Sequence, residues 1–568
     1  MDQEEKFLFQ PSKSEIQPLL FAFNNNSFEE AVSIGKQLLE KYPNAFFICN
    51  VLGSCLANMG NKNDSLHFFN KAYEINPQIP ESCSNLGMAL QQLGKYEKAS
   101  YYFEQAIKLK NNIPEVHYNY AVCLAKSKKI DLAIDSYQNA IKLRNDFSYA
   151  YYNLGLLYWE KNELEKAINT LEQASSIAPN NPEILASLGA VFKSLGNLKE
   201  AEKKTREALK LKLDPKFKFN LGAIMRDQGL LNEAKILYEE TISIEPDFIE
   251  AYNNLGEVLS DQGETNLAKE FFKKALDLNN NFSMANYNLG ILQQDSGNLN
   301  DAINFFEKSK VFDWQQRVCY CAYKSNQNEV FKKMFDNLLL FKHHSPLLAS
   351  IASHYYLNKN ASNNYNFCPD PFSYIKKIPL ESLKVKDSSL RRDLILDLSK
   401  TEIAERKQGR LVNGIQSAGN LLKRSENSFR MLAGLIIVEI DNYLSSFKNF
   451  NCEFINSFPT KPEFQSSWYI KMQKSGHLTS HIHETGWMSG VLYLQLPIQT
   501  KNPDEGAIEF GYDGDDYPEG MKLPTKKVFV ELGDLILFPS SLFHKTVPFH
   551  TNEERICIAF DISPPTQP

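Results

Sequence analysis

His481-Ile-His483 is followed 61 residues later by His544, and 11 residues beyond that by Arg555. On an extended segment, side chains two residues apart point to the same side, so His481 and His483 can reach one metal ion. His544 would return to it from a later strand. Arg555 opens a run reading Arg-Ile-Cys-Ile-Ala-Phe, and its guanidinium fork suits the carboxylate of an organic acid. Five of the ten histidines fall between 477 and 550, a density that burial alone does not require.

The elements that must carry these residues are short extended runs divided by turns. They read as strands at Ser467 to Met472, Thr479 to His483, Ser489 to Gln495, Gly506 to Gly511, Lys526 to Leu532, Leu535 to Phe538 and Ile556 to Ile562. Regular short strands with Gly, Pro and Asp between them predict an antiparallel double sheet of jelly-roll type. Ahead of them, 394–408 and 426–448 show helical periodicity. In the second, Phe429, Leu432, Leu435, Ile436 and Ile440 are placed to buttress one face of the sheet.

The order Gly476-x4-His481-x-His483, Ser489-Gly-Val-Leu-Tyr-Leu, Gly506-Ala-Ile-Glu-Phe510, Gly533-Asp-Leu-Ile-Leu-Phe-Pro-Ser540, His544 and Arg555 resembles the Fe(II)- and 2-oxoglutarate-dependent oxygenases. It is most similar to the bacterial members that carry tetratricopeptide repeats. The resemblance implies O2 activation, decarboxylation of 2-oxoglutarate to succinate and, usually, hydroxylation of a C–H bond. It implies His481 as first metal ligand, His544 as distal ligand and Arg555 as partner of the far carboxylate of 2-oxoglutarate. Tyr493 is expected either to bond the co-substrate or to pack as core. No catalytic residue is implied beyond the metal and co-substrate ligands.

His483 is the departure. Iron oxygenases of this kind hold the metal with two histidines and one carboxylate, and histidine stands where the carboxylate is expected. Glu484 could supply it only through a bulge, because on a regular strand it faces away from 481 and 483. Cys557 stands where the family often has serine. Trp487 could shield the metal or pack. The acidic loop Asp513-Gly-Asp-Asp516, and His343 with His344, read as solvated loop residues.

The first 312 residues repeat. Small residues recur at Gly53, Gly87, Ala121, Gly155, Gly189, Gly222, Gly256 and Gly290, a step of 34 with one deletion. A second small position lies 12 further on, at Ser65, Ala99, Ala133, Ala167, Ala201, Ala234, Ala268 and Ala302. Bulky residues follow at Phe69, Phe103, Tyr137, Leu171, Tyr238, Phe272 and Phe306, with Thr205 the exception. Such spacing describes helix pairs that cross closely, stacked so that each buries its apolar face on the next. The pattern resembles the tetratricopeptide repeat in eight units. Asparagine precedes the small residue's neighbour at Asn85, Asn119, Asn153, Asn220, Asn254 and Asn288. These either cap or bridge helices within their own repeat or, as the resemblance implies, line a groove and hold the backbone of an extended peptide.

The expected organisation is a degenerate N-terminal repeat at 1–45, eight repeats at 46–312, a degenerate repeat and linker at 313–375, and an oxygenase-like domain at 376–568 with its β core at 465–562. The fold class is thus an all-α tetratricopeptide-repeat superhelix followed by a double-stranded β-helix (jelly roll) with buttressing helices. A net charge of −6 over 568 residues favours neither nucleic acid nor a membrane surface. The opening residues lack a signal-peptide core, and nine cysteines without a Cys-x-x-Cys pair fit a reducing cytoplasm. The expected function is Fe(II)- and 2-oxoglutarate-dependent hydroxylation, using O2, of a peptide or protein recruited by the repeats. The alternatives are an oxygenase acting on a small metabolite with repeats for partner assembly, and a scaffold whose sheet has lost its chemistry.

Overall fold

The computed structural model describes residues 10–340, 344–385, 387–400, 405–406, 410–417, 420–424, 426–497, 502, 504–514, 517–518 and 520–565. The chain divides into two compact units, 1–191 and 192–568. Helical tetratricopeptide repeats occupy the first unit and continue in the second, which ends in antiparallel β-sheet.

Unit one is built of helix pairs such as Phe46–Asn58 with Lys62–Ile75 and Pro80–Gln92 with Tyr96–Leu109. First helices of successive pairs begin at 46, 80, 114 and 148, the periodicity read in the sequence. Gly53 shows why the position stays small: a Cβ there would lie 2.7 Å from the ring of Phe69. In the second unit Gly256 meets Phe272 at 2.6 Å in the same way. Tight turns between the helices of a pair use left-handed backbone, as at Gly60 with φ 79° and Gly263 with φ 81°, which glycine adopts without a Cβ clash.

Unit two continues with Pro215–Asp227 and Leu231–Ile244, Ile249–Asp261 and Thr265–Leu278, Ser283–Asp295 and Leu299–Ser309, then Trp314–Lys324 and Asn328–Leu340. A further helix, Pro346–Asn358, falls inside the segment expected to be repeat and linker. It is capped by Ser345, whose side chain accepts from the Leu348 N–H, with Pro346 in the first turn.

Among the described residues ten strands follow: β1 Lys376–Pro379, β2 Glu405–Arg406, β3 Leu411–Ser417, β4 Phe464–Leu478, β5 Met488–Gln495, β6 Ile508–Gly511, β7 Thr525–Val528, β8 Asp534–Pro539, β9 Phe543–Thr546 and β10 Arg555–Ile562. The larger sheet runs β1-β8-β5-β10-β4-β3-β2 and the smaller β7-β6-β9, with antiparallel ladders throughout. β10 alternates strictly. Ile556, Ile558, Phe560 and Ile562 join Leu394, Leu398, Phe429, Leu432, Ile436 and Ile440 of the buttressing helices in one core. Cys557 and Ala559 face the other way, into a core shared with Ile508 and Phe510 of the smaller sheet. Each such fully buried aliphatic or aromatic side chain contributes about 1.5–3 kcal/mol.

Three expected elements differ, the strand expected over Lys526 to Leu532 being only Thr525–Val528. The helix expected over 394–408 is Ser389–Lys400, and the chain then turns to β2, whose Glu405 and Arg406 pair with Ser417 and Gln416; 401–404 and 407–408 lie outside the described residues. The strand expected at Thr479 to His483 is a single bridge between His481 and His544. The ladder stops there because neighbours on either side are held otherwise. Ser480 Oγ donates to the Asp513 carbonyl at 3.0 Å, and Ile482 is buried in the helical core.

Candidate metal centre

The backbone bridge pins the first and third imidazoles together. His481 N–H donates to the His544 carbonyl at 3.1 Å, and His544 N–H returns to that of His481 at 2.9 Å. His483, two residues on, points to the same side, as extended geometry requires. The ring centroids of His481 and His544 are 4.3 Å apart, and that of His483 is 5.3 Å and 4.9 Å from them. One nitrogen from each ring lies within 4.8 Å of the other two.

Hydrogen bonds set the tautomers. His481 Nδ1 contacts the Thr479 carbonyl at 2.8 Å and His544 Nδ1 contacts that of Leu542 at 3.2 Å. A carbonyl can only accept, so both Nδ1 atoms carry a proton and Nε2 is the nitrogen left to face a metal. His483 Nδ1 faces the Asp561 carboxylate at 2.5 Å, with the same result. Burial, reinforced by the neighbouring His481 and His483, holds the pKa of His544 well below the usual imidazole range. Three clustered imidazoles whose Nδ1 atoms are engaged in hydrogen bonds, leaving Nε2 as the ligand atom, form a donor set suited to a divalent transition metal.

The imidazoles open onto a cavity of about 1250 Å³ within the second unit, and Arg555, Tyr493, Cys557 and Met472 line it too. Arg555 is 2% exposed, and its Nε and Nη1 have no hydrogen-bond partner among the described residues. A buried guanidinium with free donors fits the carboxylate of a co-substrate. Tyr493 packs at 5.1 Å from the Arg555 guanidinium, and burial raises the pKa of its hydroxyl, leaving a neutral donor. Burial likewise raises that of Cys557.

Among the remaining sequence candidates, Glu484 and Trp487 take other roles. Glu484 ion-pairs with buried Arg317. Trp487 packs edge-on against Phe367 at 4.8 Å and donates from Nε1 to the Phe454 carbonyl, so it is core. His344 lies 3.9 Å from Glu453; His343, Asp515 and Asp516 lie outside the described residues. Among the asparagines, Asn85 donates to Asn50 at 3.0 Å, Asn153 to Tyr118 at 3.0 Å, Asn254 to Tyr238 at 3.4 Å, and Asn288 to Asn253 and Glu257 at 3.0 Å each. Asn119 and Asn220 are half-buried. The far wall of the cavity is charged instead, with Lys193, Arg226, Asp227, Asp261, Asp295 and Arg317 from the repeats.

Residues that local sequence reading passed over are Asp561, Ser466 and Ser489. Asp561 shares the parity of Arg555 on β10, and that alternation is the signal that points to it.

Comparison with known proteins agrees with this architecture. Residues 466–561 match the family described as "Putative 2OG-Fe(II) oxygenase". Residues 48–79 match the tetratricopeptide repeat, and 73–290 match the cilia and flagella-associated protein 70 C-terminal domain. The chain therefore combines tetratricopeptide repeats with a C-terminal 2OG-Fe(II) oxygenase domain. A PKHD-type hydroxylase of Prochlorococcus marinus (strain MIT 9301) is 22% identical over 165 residues, 29% of this chain and 72% of that protein. Among solved structures, MamA from Desulfovibrio magneticus RS-1 is 23% identical, with a TM-score of 0.29 over 29% of this chain and 94% of its own. YrrB, titled a TPR protein with an unusual peptide-binding site, is 24% identical, with a TM-score of 0.28 over 32% of this chain and 95% of its own. Among the described residues no helix is long and apolar enough to cross a membrane.

Proposed function

We propose that this chain is an Fe(II)- and 2-oxoglutarate-dependent hydroxylase that modifies a side chain of a peptide or protein recruited by its repeats. The observation that carries the reading is one cavity bearing His481, His483, His544 and Arg555 on its sheet wall and repeat residues Arg226, Asp261 and Arg317 opposite. Iron, when bound, supplies O2 activation coupled to co-substrate decarboxylation: 2-oxoglutarate leaves as succinate and CO2, one oxygen atom enters succinate, and the other enters the substrate C–H bond. The three histidines would hold the metal through Nε2, the nitrogen that their Nδ1 hydrogen bonds leave available. Arg555 pairs with the far carboxylate of 2-oxoglutarate, and the Tyr493 hydroxyl donates beside it. Phe538, Ile508 and Met472 keep that end of the cavity apolar. In the second unit Asn220, Asn254 and Asn288 contact the extended backbone of the recruited chain, raising its local concentration at the metal, and in the first unit Asn85, Asn119 and Asn153 offer the same amides to peptide backbone. All nine cysteines are free and buried, which suits a reducing cytoplasm.

The test is succinate formation from 2-oxoglutarate, under air with Fe(II), by wild type beside His481→Ala and Arg555→Ala. Wild-type turnover stimulated by a cellular peptide extract and lost in both variants is expected. Turnover stimulated by small metabolites and indifferent to peptides would remove the peptide part of the reading. No metal-dependent binding of 2-oxoglutarate would remove the whole of it.

A further inference from the structure

Of the three imidazoles, His483 alone presents its Nδ1 to a charged group among the described residues. His481 and His544 face neutral carbonyls, whereas His483 faces Asp561 at 2.5 Å. It is also the residue standing where a metal-binding carboxylate was expected. Building on the metal-dependent reading above, we propose that Asp561 is the carboxylate of this site, set behind His483 as a positioning residue rather than on the metal itself.

Sheet register builds the arrangement. Asp561 lies opposite Ser466 on β4 and opposite Ser489 on β5, so one hydroxyl flanks it from each side. Ser489 Oγ donates to Asp561 Oδ1 at 2.7 Å and Ser466 Oγ donates to Oδ2 at 3.0 Å. Since the single Ser489 proton goes to Asp561, Ser540 Oγ, 2.7 Å from Ser489 Oγ, donates into the chain. The loop closes over the carboxylate: a Cβ on Gly486 would lie 2.9 Å from Asp561 Cβ. Asp561 is 5% exposed, and a carboxylate so buried needs these donors to remain an acceptor for His483.

The consequence is chemical. A carboxylate accepting from Nδ1–H fixes the ring with Nε2 toward the metal and makes that nitrogen more electron-rich. It restores to a three-histidine set, at one remove, the negative charge that a carboxylate ligand would bring. Asp561 does not touch the reacting atoms.

The test is a Co(II) titration of metal-free protein, followed by calorimetry and by the visible d–d absorption band, in a double-mutant cycle of Asp561→Asn with His483→Asp. In the wild-type background, Asp561→Asn is expected to weaken Co(II) about 10–100-fold and to shift the band. In the His483→Asp background, where position 483 no longer carries an imidazole for Asp561 to orient, the same substitution is expected to change affinity less than about twofold. Equal losses in both backgrounds, or none in either, would overturn the proposal. Wild type that binds no Co(II) overturns the hydroxylase reading with it, whereas normal wild-type binding with an inert Asp561→Asn overturns this proposal alone. If Asp561→Asn does not fold, Ser466→Ala replaces it in the cycle, with a smaller loss expected in the same background only and its absence counting against the role.

Discussion

Arg317, on the helix Trp314–Lys324, forms a buried ion pair with Glu484, the residue following His483. Arg317 also contacts Asp313 Oδ2 at 3.2 Å. The late helices of the array thus grip the loop that carries two candidate ligands, and Glu484 is turned to that task instead of to the metal. Arg317→Met strands the Glu484 carboxylate, takes a partner from Asp313, and is expected to cost about 3–5 kcal/mol in urea denaturation. The double substitution Arg317→Met with Glu484→Gln should recover part of the loss; a purely additive result would show that the pair is not coupled.

Arg555 should reveal a conflict between stability and binding. Among the described residues its Nε and Nη1 are buried without hydrogen-bond partners, so Arg555→Met relieves a desolvated charge and should leave the metal-free protein as stable as wild type, or more stable by about 1–3 kcal/mol. In the same variant the KM for 2-oxoglutarate should rise at least about tenfold, from the loss of about 1.5–3 kcal/mol of charged hydrogen bonding. Thermal melting and a 2-oxoglutarate titration check the two halves separately.

Acid should loosen the second unit through His354. Burial lowers its pKa from the ordinary 6.5, with Asp513 opposing, and its Nδ1 meets the Tyr323 hydroxyl at 2.6 Å. The unfolded chain takes up a proton where the folded chain does not. The stability this contributes is complete above about pH 6.5 and is lost as pH falls through the folded pKa, at up to about 1.4 kcal/mol per pH unit. Wild type should therefore exceed His354→Gln by more at about pH 7.5 than at about pH 5.5. An identical margin at both would exclude His354 as the source.

Repeat packing should respond to single methyl groups. Gly256→Ala drives a Cβ against Phe272 and should cost about 1–3 kcal/mol by overpacking. Combined with Phe272→Leu, which makes room, the cost should fall below the sum of the two single effects. Chemical denaturation of the four proteins is the measurement.

The repeats were legible because the constraint is local and recurs: as the Phe69 ring presses on Gly53, so the Phe272 ring presses on Gly256 six repeats further on. His481, His544 and Arg555 were legible because side chains of those types on strands have few other uses in such an order. Asp561 was not, since its meaning depends on which strands flank β10, and nothing within Arg555-Ile-Cys-Ile-Ala-Phe-Asp561 states that β4 and β5 bring Ser466 and Ser489 to it. Arg317 was hidden for the same reason, its partner lying 167 residues away. The strand expected at 479–483 failed differently: alternation was read as a ladder, whereas side-chain anchors at Ser480 and Ile482 hold all but one bridge.

The strict alternation along β10 limits how this protein can change over evolutionary time. Inserting or deleting one codon inside the strand would turn Arg555 or Asp561, depending on the side of the event, toward the helical core and bring isoleucine or phenylalanine into the cavity. Changes in length there are tolerable only in steps of two residues, and even those would alter the spacing between the co-substrate anchor and the residue behind His483. Divergent relatives should therefore vary in the turns that flank this strand while keeping the interval from Arg555 to Asp561 unchanged.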